Sequence, residues 1–261
     1  SMGALSLTFN PKYRKSFQPL VEKVSFSPFG NIESLRSTID DDTAFIILEP
    51  IQGESGIHVA PDGFLQDVRK LCDENEILLI FDEIQSGLGR TGRMWAADHW
   101  NTAPDILCIA KGIAGGVPMG VTMVRHDILN CISKGEHSST FGGNPLSCAA
   151  GTATIQALTQ DNLVQNADAM GKLFRDGLEK LKEKHNIIRE IRGKGLMIGI
   201  ELKFEVKNIL MEGIENNLLL LYSGRNILRL LPPLVITKDD VTKSLETLDI
   251  LFTNEEKRKN G

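Results

Sequence analysis

Apolar residues recur in short runs through the first half of the chain. Such runs occupy residues 43–48, 77–82, 105–110 and 120–125, and runs of this length predict buried strands of a sheet. Between the first two runs, residues 61–76 space their apolar positions three and four apart, as an amphipathic helix does. A strand, a helix and a strand in about 40 residues predict a βαβ unit, and hence a mainly parallel sheet.

Helical patterns dominate the second half, where short strands alternate with them. Helices are predicted from Pro145 onward, from Asp161 to Lys184, over 206–216 and over 238–251, and strands over 187–192, 197–202 and 227–231. Short strands mixed with helices outside a parallel sheet indicate a second domain of α+β type. We therefore expect a large α/β domain over residues 1–159 and a smaller C-terminal α+β domain over residues 160–261.

Two polar residues end neighbouring apolar runs. Asp82 closes the run at 77–82, and Lys111 follows the run at 105–110, ahead of several glycines. Because ligands of open α/β sheets sit at the carboxyl ends of strands, the two side chains are expected at one site. Pyridoxal 5'-phosphate (PLP) chemistry needs such a pair, with a lysine for covalent attachment and an aspartate to keep the ring nitrogen protonated. By itself the pair is also compatible with an ordinary strand end and a solvated turn.

Five sequence blocks in a fixed order make the chemistry more specific. They read EPIQGESG (49–56), DEIQSGLGRTG (82–92), AKGIAGGVPMG (110–120), STFGGNPL (139–146) and RLLPPL (229–234). One glycine-rich stretch would be weak evidence, whereas five ordered blocks are strong evidence. With these blocks the chain resembles class III (ω-amino) PLP-dependent aminotransferases. Within that class it is most similar to acetylornithine aminotransferases and their lysine-pathway relatives, and NPKYRK (10–15) supports that subgroup.

The resemblance implies an aspartate aminotransferase-like PLP fold (fold type I), PLP as cofactor and a homodimer with shared active sites. Lys111 resembles the lysine that bonds to the cofactor, and Asp82 the partner of the pyridine nitrogen. Gln85 resembles the hydrogen-bond donor to the ring hydroxyl oxygen, and Ile84 would pack on one face of the ring. Thr140 resembles the threonine that reaches the cofactor phosphate of the neighbouring subunit.

The resemblance also implies a gate pair formed by Glu54 and Arg229. The arginine would bind the α-carboxylate of glutamate, and the glutamate would hold the arginine when the other substrate is present. An arginine suits this task because its planar fork gives two parallel hydrogen bonds to a carboxylate. Since the two residues are far apart in sequence, two unrelated surface charges remain the alternative.

The implied reaction moves the ω-amino group of N-acetylornithine, or of a similarly blocked diamino acid, to 2-oxoglutarate. The products would be a semialdehyde and glutamate, in arginine or lysine biosynthesis. Other class III activities stay open, on ornithine, on 4-aminobutyrate or on a lysine precursor carried by a small acidic protein.

The family pattern also contains an N-terminal part that has no match here. That part carries a loop for the cofactor phosphate, an aromatic residue that stacks on the ring and a substrate-binding arginine. No small-residue loop opens a helix before Glu49. We therefore expect an N-terminally truncated large domain. A catalytically silent module that folds and dimerises without turnover is the alternative from another functional class.

Composition and charge narrow the functional classes further. The chain is 41% hydrophobic and 24% charged with a net charge of −5, which is typical of a globular protein and argues against nucleic-acid binding. The five histidines show no metal-ligand spacing, so no metal is assigned, and C-x-x-C spacing is absent among Cys72, Cys108, Cys131 and Cys148. The apolar runs are too short to span a bilayer, and no signal-peptide pattern opens the chain. The expected compartment is the cytoplasm.

Overall fold

The computed structural model of the protein describes residues 2–260, and the chain divides into two units at residues 44 and 45. The first unit contains three short α-helices: α1 (Met2–Ser6), α2 (Pro11–Arg14) and α3 (Ile32–Arg36). The side chains of Asn10 and Asn31 accept the backbone N–H groups of Lys12 and Ser34. Each asparagine therefore caps the first turn of its helix.

Residues 45–260 contain the remaining helices and all of the strands seen in the described residues. The strands are β1 (Phe45–Leu48), β2 (Ile51–Gln52), β3 (His58–Val59), β4 (Leu78–Asp82), β5 (Ile106–Ile109), β6 (Val121–Val124), β7 (Ile188–Lys194), β8 (Met197–Leu202), β9 (Leu221–Ser223) and β10 (Ile227–Leu230). The helices are α4 (Phe64–Glu74), α5 (His126–Leu129), α6 (Pro145–Gln160), α7 (Leu163–Lys184), α8 (Lys207–Glu215) and α9 (Lys238–Asn260).

The first sheet has the order β1-β4-β5-β6. Strands β1, β4 and β5 run parallel, whereas β6 is antiparallel to β5. Helix α4 precedes β4 in the chain. Its buried face consists of five apolar residues, Phe64, Leu65, Val68, Leu71 and Cys72. The predicted βαβ unit is therefore present, and it contains the unpredicted hairpin β2–β3 between β1 and α4.

The second sheet is antiparallel, with the order β7-β8-β10-β9. Its core joins residues of these strands to α7, α8 and α9, including the fully buried Leu178, Ile200 and Phe252. Burying a side chain of this size stabilises a fold by about 1.5–3 kcal/mol relative to leaving it exposed. Each predicted strand and helix of this half is present within a few residues, with one exception in length.

The exception is α9, which was predicted to end at residue 251 and continues to Asn260. Its last turns carry polar residues that find partners inside the fold. Glu255 is buried and lies 2.7 Å from Arg258, which also pairs with Glu212 of α8. The hydrophobic pattern stops before these turns, so the sequence did not indicate their helical conformation.

The predicted domain boundary near residue 159 lies at the end of α6, between the two sheets in sequence. That boundary stays a prediction. Among residues 2–260, every helix is too short or too polar to traverse a bilayer.

Candidate active site

The carboxyl ends of β4 and β5 bring Asp82 and Lys111 to one edge of the first sheet. Asp82 is the last residue of β4 and pairs with Cys108 of β5. Lys111 follows the last residue of β5 by two positions. Since the two strands are parallel, their ends meet at the same edge, where ligands bind in open α/β sheets.

Lys111 occupies an unusual backbone conformation. Its φ is +23°, a region that non-glycine residues rarely adopt and that costs about 1–3 kcal/mol. It opens a 3-10 turn over Lys111–Ala114, whose Ile113 and Ala114 are buried. The Lys111 side chain is exposed, and within residues 2–260 its amine forms neither a hydrogen bond nor a close ion pair. The turn therefore holds a free amine at the sheet edge.

One carboxylate oxygen of Asp82 is hydrogen-bonded, and the other is free. Its Oδ1 accepts the backbone N–H of Ile84 at 2.9 Å, which orients the half-buried side chain. No donor from the part of the chain that the structure describes reaches Oδ2. This second oxygen is available to a protonated ring nitrogen.

Gln85 and Ile84 lie in the turn that follows β4, and both are half-buried. The Gln85 side chain packs so closely on Gly53 that a Cβ there would be 2.0 Å from Oε1. This Oε1 is buried and has no partner among the described residues. Because nearly all buried polar atoms are hydrogen-bonded, this oxygen is placed to accept a hydrogen bond from a group that the described residues do not supply.

Glu54 and Arg229 are in contact, although 175 positions separate them in sequence. Arg229 Nη1 donates to Glu54 Oε1 at 2.7 Å and to the Gly53 carbonyl oxygen at 3.3 Å. The Arg229 side chain is 10% exposed, whereas that of Glu54 is 77% exposed. The Arg229 hydrogen bond lowers the pKa of Glu54, and the Gln85 amide and Lys111 lower it further.

Glu49 joins this cluster, a role that the sequence analysis did not assign. It follows β1 and accepts the backbone N–H of Gly53 at 2.9 Å. Burial raises the pKa of Glu49, nearby Asp82 and Glu54 raise it further, and Lys111 lowers it. Glu49 is thus within electrostatic range of three predicted site residues. The only sequence feature that pointed to Glu49 was its position directly after an apolar run, which is similar to the position of Asp82 at the end of another run.

Glu83 is a second acidic residue that the sequence analysis missed. It follows Asp82 and is fully buried, and its carboxylate accepts the backbone N–H groups of Ala96 at 2.5 Å and Ala97 at 2.8 Å. Burial raises the pKa of Glu83 to about 7, although these two N–H groups lower it. Nothing in its sequence context distinguishes it from a solvated neighbour of Asp82.

Thr140 lies in an exposed loop before α6. Within this chain, its hydroxyl forms no hydrogen bond with Asp82, Gln85 or Lys111. The structure therefore brings together Asp82, Gln85, Lys111, Glu54 and Arg229, and it leaves Thr140 facing outward.

The residues at this edge fit PLP. They offer the free amine of Lys111, the free Oδ2 of Asp82 and the buried Oε1 of Gln85, which has no partner among the described residues. The roles assigned to the individual residues stay predictions.

The chain belongs to the class III aminotransferases, since the sequence model of that family matches residues 1–251. This confirms the predicted family, and PLP is the cofactor of that family. The chain is 44% identical to the acetylornithine aminotransferase of Caldanaerobacter subterraneus over 250 residues, which are 95% of this chain and 63% of that protein. It is 43% identical to the [LysW]-aminoadipate semialdehyde/glutamate semialdehyde transaminase of Sulfolobus acidocaldarius, covering 94% of this chain and 63% of that protein.

The fold is similar to a solved structure of the ornithine aminotransferase from Toxoplasma gondii, which has PLP at partial occupancy in its active site. The TM-score is 0.95 at 34% identity, and the match covers 99% of this chain and 62% of that one. This likeness confirms the predicted fold class. The chain spans somewhat less than two thirds of the length of the relatives it matches.

Proposed function

We propose that the complete protein is a PLP-dependent aminotransferase that moves the ω-amino group of N-acetylornithine, or of a similarly blocked diamino acid, to 2-oxoglutarate. The products are a semialdehyde and glutamate. The observation that carries the proposal is the Glu54–Arg229 pair beside the Asp82–Lys111 edge. This arrangement offers a cofactor site and, next to it, an arginine suited to the carboxylate of a dicarboxylic amino acid.

When bound, PLP supplies an aldehyde that exchanges amines and a protonated ring that withdraws electrons. Asp82 Oδ2 would hold the proton on the ring nitrogen, and its negative charge would keep that nitrogen cationic. Lys111 Nζ would hold the cofactor, and as a general base it would accept the proton from the amine-bearing carbon of the substrate. Gln85 would donate a hydrogen bond to the hydroxyl oxygen of the ring, and Ile84 would pack on one face of the ring.

Arg229 then distinguishes the two substrates. With glutamate or 2-oxoglutarate, its guanidinium binds the α-carboxylate as a fork. With the blocked diamino acid it stays paired with Glu54, as in the present structure. The exposure of the Glu54 side chain supports this reading, because an exposed carboxylate can rotate away at little desolvation cost.

The names of two relatives support this choice of amine donor. The relative that is 44% identical is named for acetylornithine, and the one that is 43% identical is named for LysW-linked semialdehydes, which are the carbonyl counterparts of blocked diamino acids. Ornithine is a second candidate, favoured by the close structural match to the ornithine aminotransferase of Toxoplasma gondii.

We also propose a cytoplasmic homodimer. The outward-facing Thr140 supports a contact with the cofactor phosphate of a second subunit, and sedimentation of the complete protein tests it. All four cysteines carry free thiols, which supports a reducing compartment.

The test starts from the complete protein loaded with PLP and reduced with borohydride. Peptide mapping should place the reduced adduct on Lys111, and Lys111→Ala should lose both the adduct and turnover. Asp82→Asn should keep the adduct but react slower by orders of magnitude, because a neutral amide does not hold the ring proton. Lys203→Ala is the matched control, since Lys203 is exposed and lies in the second half of the chain.

Rates with N-acetylornithine, ornithine and 4-aminobutyrate then identify the donor. An adduct on another lysine would refute the assignment of Lys111. Binding of PLP without turnover of any of these donors would favour a silent module instead.

A further inference from the structure

The loop that carries Glu54 is held by its main chain. Each of its four consecutive carbonyl groups, at residues 53 to 56, accepts a hydrogen bond from a different side chain. The pairs are Gly53 O with Arg229 Nη1 at 3.3 Å, Glu54 O with Ser223 Oγ, Ser55 O with His58 Nε2 at 3.1 Å, and Gly56 O with Arg192 Nε at 2.8 Å. The anchors at residues 54 to 56 do not involve Arg229, so they hold the backbone of the loop independently of the Glu54 carboxylate.

Arg192 and Arg229 approach this loop from two sides of one strand. Arg192 of β7 and Arg229 of β10 both pair with Gly199 of β8. The loop lies directly on Gly199, where a Cβ would be 3.0 Å from Ile57 Cβ and 3.1 Å from Gly56 O. Only a glycine permits this close approach. Because both arginines pair with Gly199, they flank the loop at the same level of the sheet.

Arg192 is itself held firmly. Its Nη1 lies 2.7 Å from Glu190 and 2.9 Å from Glu201, and its side chain is 9% exposed. The rigid planar guanidinium therefore presents Nε to Gly56 O in one orientation. Arg229, in contrast, is shared between the loop and the Glu54 carboxylate.

The loop also needs these anchors because its backbone is strained. Ile57 has a φ of +59°, which is an outlier for a β-branched residue, and it is fully buried. Strained conformations persist only where surrounding contacts over-determine them. Loss of the contact at Gly56 should therefore let the adjoining residues relax and displace Glu54.

We propose that Arg192 is a positioning residue that keeps the backbone of the Glu54 loop in place while Arg229 changes partner between Glu54 and a substrate carboxylate. The gate then works by rotation of one exposed side chain over a fixed loop. This inference rests on the proposed function, because it concerns the gate of that same site.

The test compares Glu54→Ala, Arg192→Met and the double variant in the complete protein loaded with PLP. Arg189→Met is the matched control, because Arg189 lies on the same strand and pairs with Glu201 at 3.0 Å but does not contact the loop. Calorimetry measures the affinity for glutarate, an unreactive dicarboxylate, and hydrogen exchange measures the amides of residues 53 to 57. Single-turnover rates of the glutamate and N-acetylornithine half-reactions give the discrimination ratio.

Glu54→Ala should tighten glutarate binding because it frees Arg229. Arg192→Met should do the same by about threefold to tenfold, the size expected of coupled neighbours, and should speed exchange at Gly56 and Ile57. The double variant should match Glu54→Ala alone, since both changes act through one pair. If Arg192→Met does not fold, Arg192→Lys, which keeps the charge but not the fork, should change affinity and exchange in the same direction.

Wild-type affinity and exchange in the Arg192 variants would overturn the inference. A double variant that exceeds Glu54→Ala would also overturn it, because Arg192 would then act elsewhere. If Glu54→Ala itself changed neither affinity nor discrimination, the gate would be wrong, and the role of Arg192 with it.

Discussion

Replacing Gly171 by alanine is expected to destabilise the protein, although alanine favours helices. Gly171 lies inside α7, where a Cβ would be 2.2 Å from the carbonyl oxygen of Gly195 and 2.5 Å from its Cα. The turn at Gly195 cannot retreat, because its own Cα faces the Thr91 backbone, where a Cβ would be 2.3 Å from the carbonyl carbon. A hydrogen bond of 3.0 Å from Leu196 N to Arg90 O holds it there as well.

Gly177 in the same helix provides a matched comparison. A Cβ at Gly177 would be 2.2 Å from Leu245 Cδ1, which is the end of a flexible and only partly buried side chain. Each substitution gains about 1 kcal/mol of helix propensity. Overpacking costs about 1–3 kcal/mol or more, and the upper end applies where the obstacle is a pinned backbone. Gly171→Ala should therefore lose about 2 kcal/mol, whereas Gly177→Ala should stay near the wild-type value.

Urea and thermal unfolding of the three proteins measure this difference. A loss of about 2 kcal/mol corresponds to a fall of about 4–8 °C in Tm for a chain of roughly this size. The slope of the urea transition should be the same in all three proteins, since the surface exposed on unfolding hardly changes. Equal midpoints for the two variants would show that the contact between α7 and the β7–β8 turn is not tight.

Two further predictions concern titration and assembly. Because burial raises the pKa of Glu83 to about 7, its contribution to stability is complete below its unfolded pKa and is lost as the pH rises to 7. From pH 5 to pH 8 the free energy of unfolding should fall by about 2–3 kcal/mol for this reason. Urea unfolding of Glu83→Gln should show a smaller change of this free energy with pH. The same change in both proteins would contradict the burial argument. Sedimentation of the complete protein at micromolar concentration should show a dimer. The variant Thr140→Ala should still be a dimer but should bind PLP more weakly. A monomeric wild-type protein would contradict the shared site.

Much of the secondary structure followed from local pattern. The runs that became β4 and β5 are continuous apolar segments, as expected of strands covered on both faces. Helix α4 buries the apolar face that its spacing predicted. The hairpin β2–β3 was missed because two-residue strands show no alternation, and the last turns of α9 were missed because their partners are polar.

The two residues at the edge of the first sheet were largely predictable for the same reason. Asp82 and Lys111 stand at the ends of strands, and parallel neighbours place such ends together. The separate roles of Gln85, Ile84 and Thr140 come from the resemblance and stay predictions. Glu49 and Glu83 were missed because their importance depends on burial, which a single sequence position does not reveal.

By itself, the sequence determined the order of strands and helices, the family and the two residues at the sheet edge, because each depends on neighbours close in the chain. Only the tertiary structure decided that Glu54 reaches Arg229, and that Arg192 binds the other end of the same loop. The residues in these contacts are more than a hundred positions apart in the sequence. The contacts depend on the register of β7, β8 and β10 around Gly199. A shift of one residue would turn both arginines to the opposite face of the sheet.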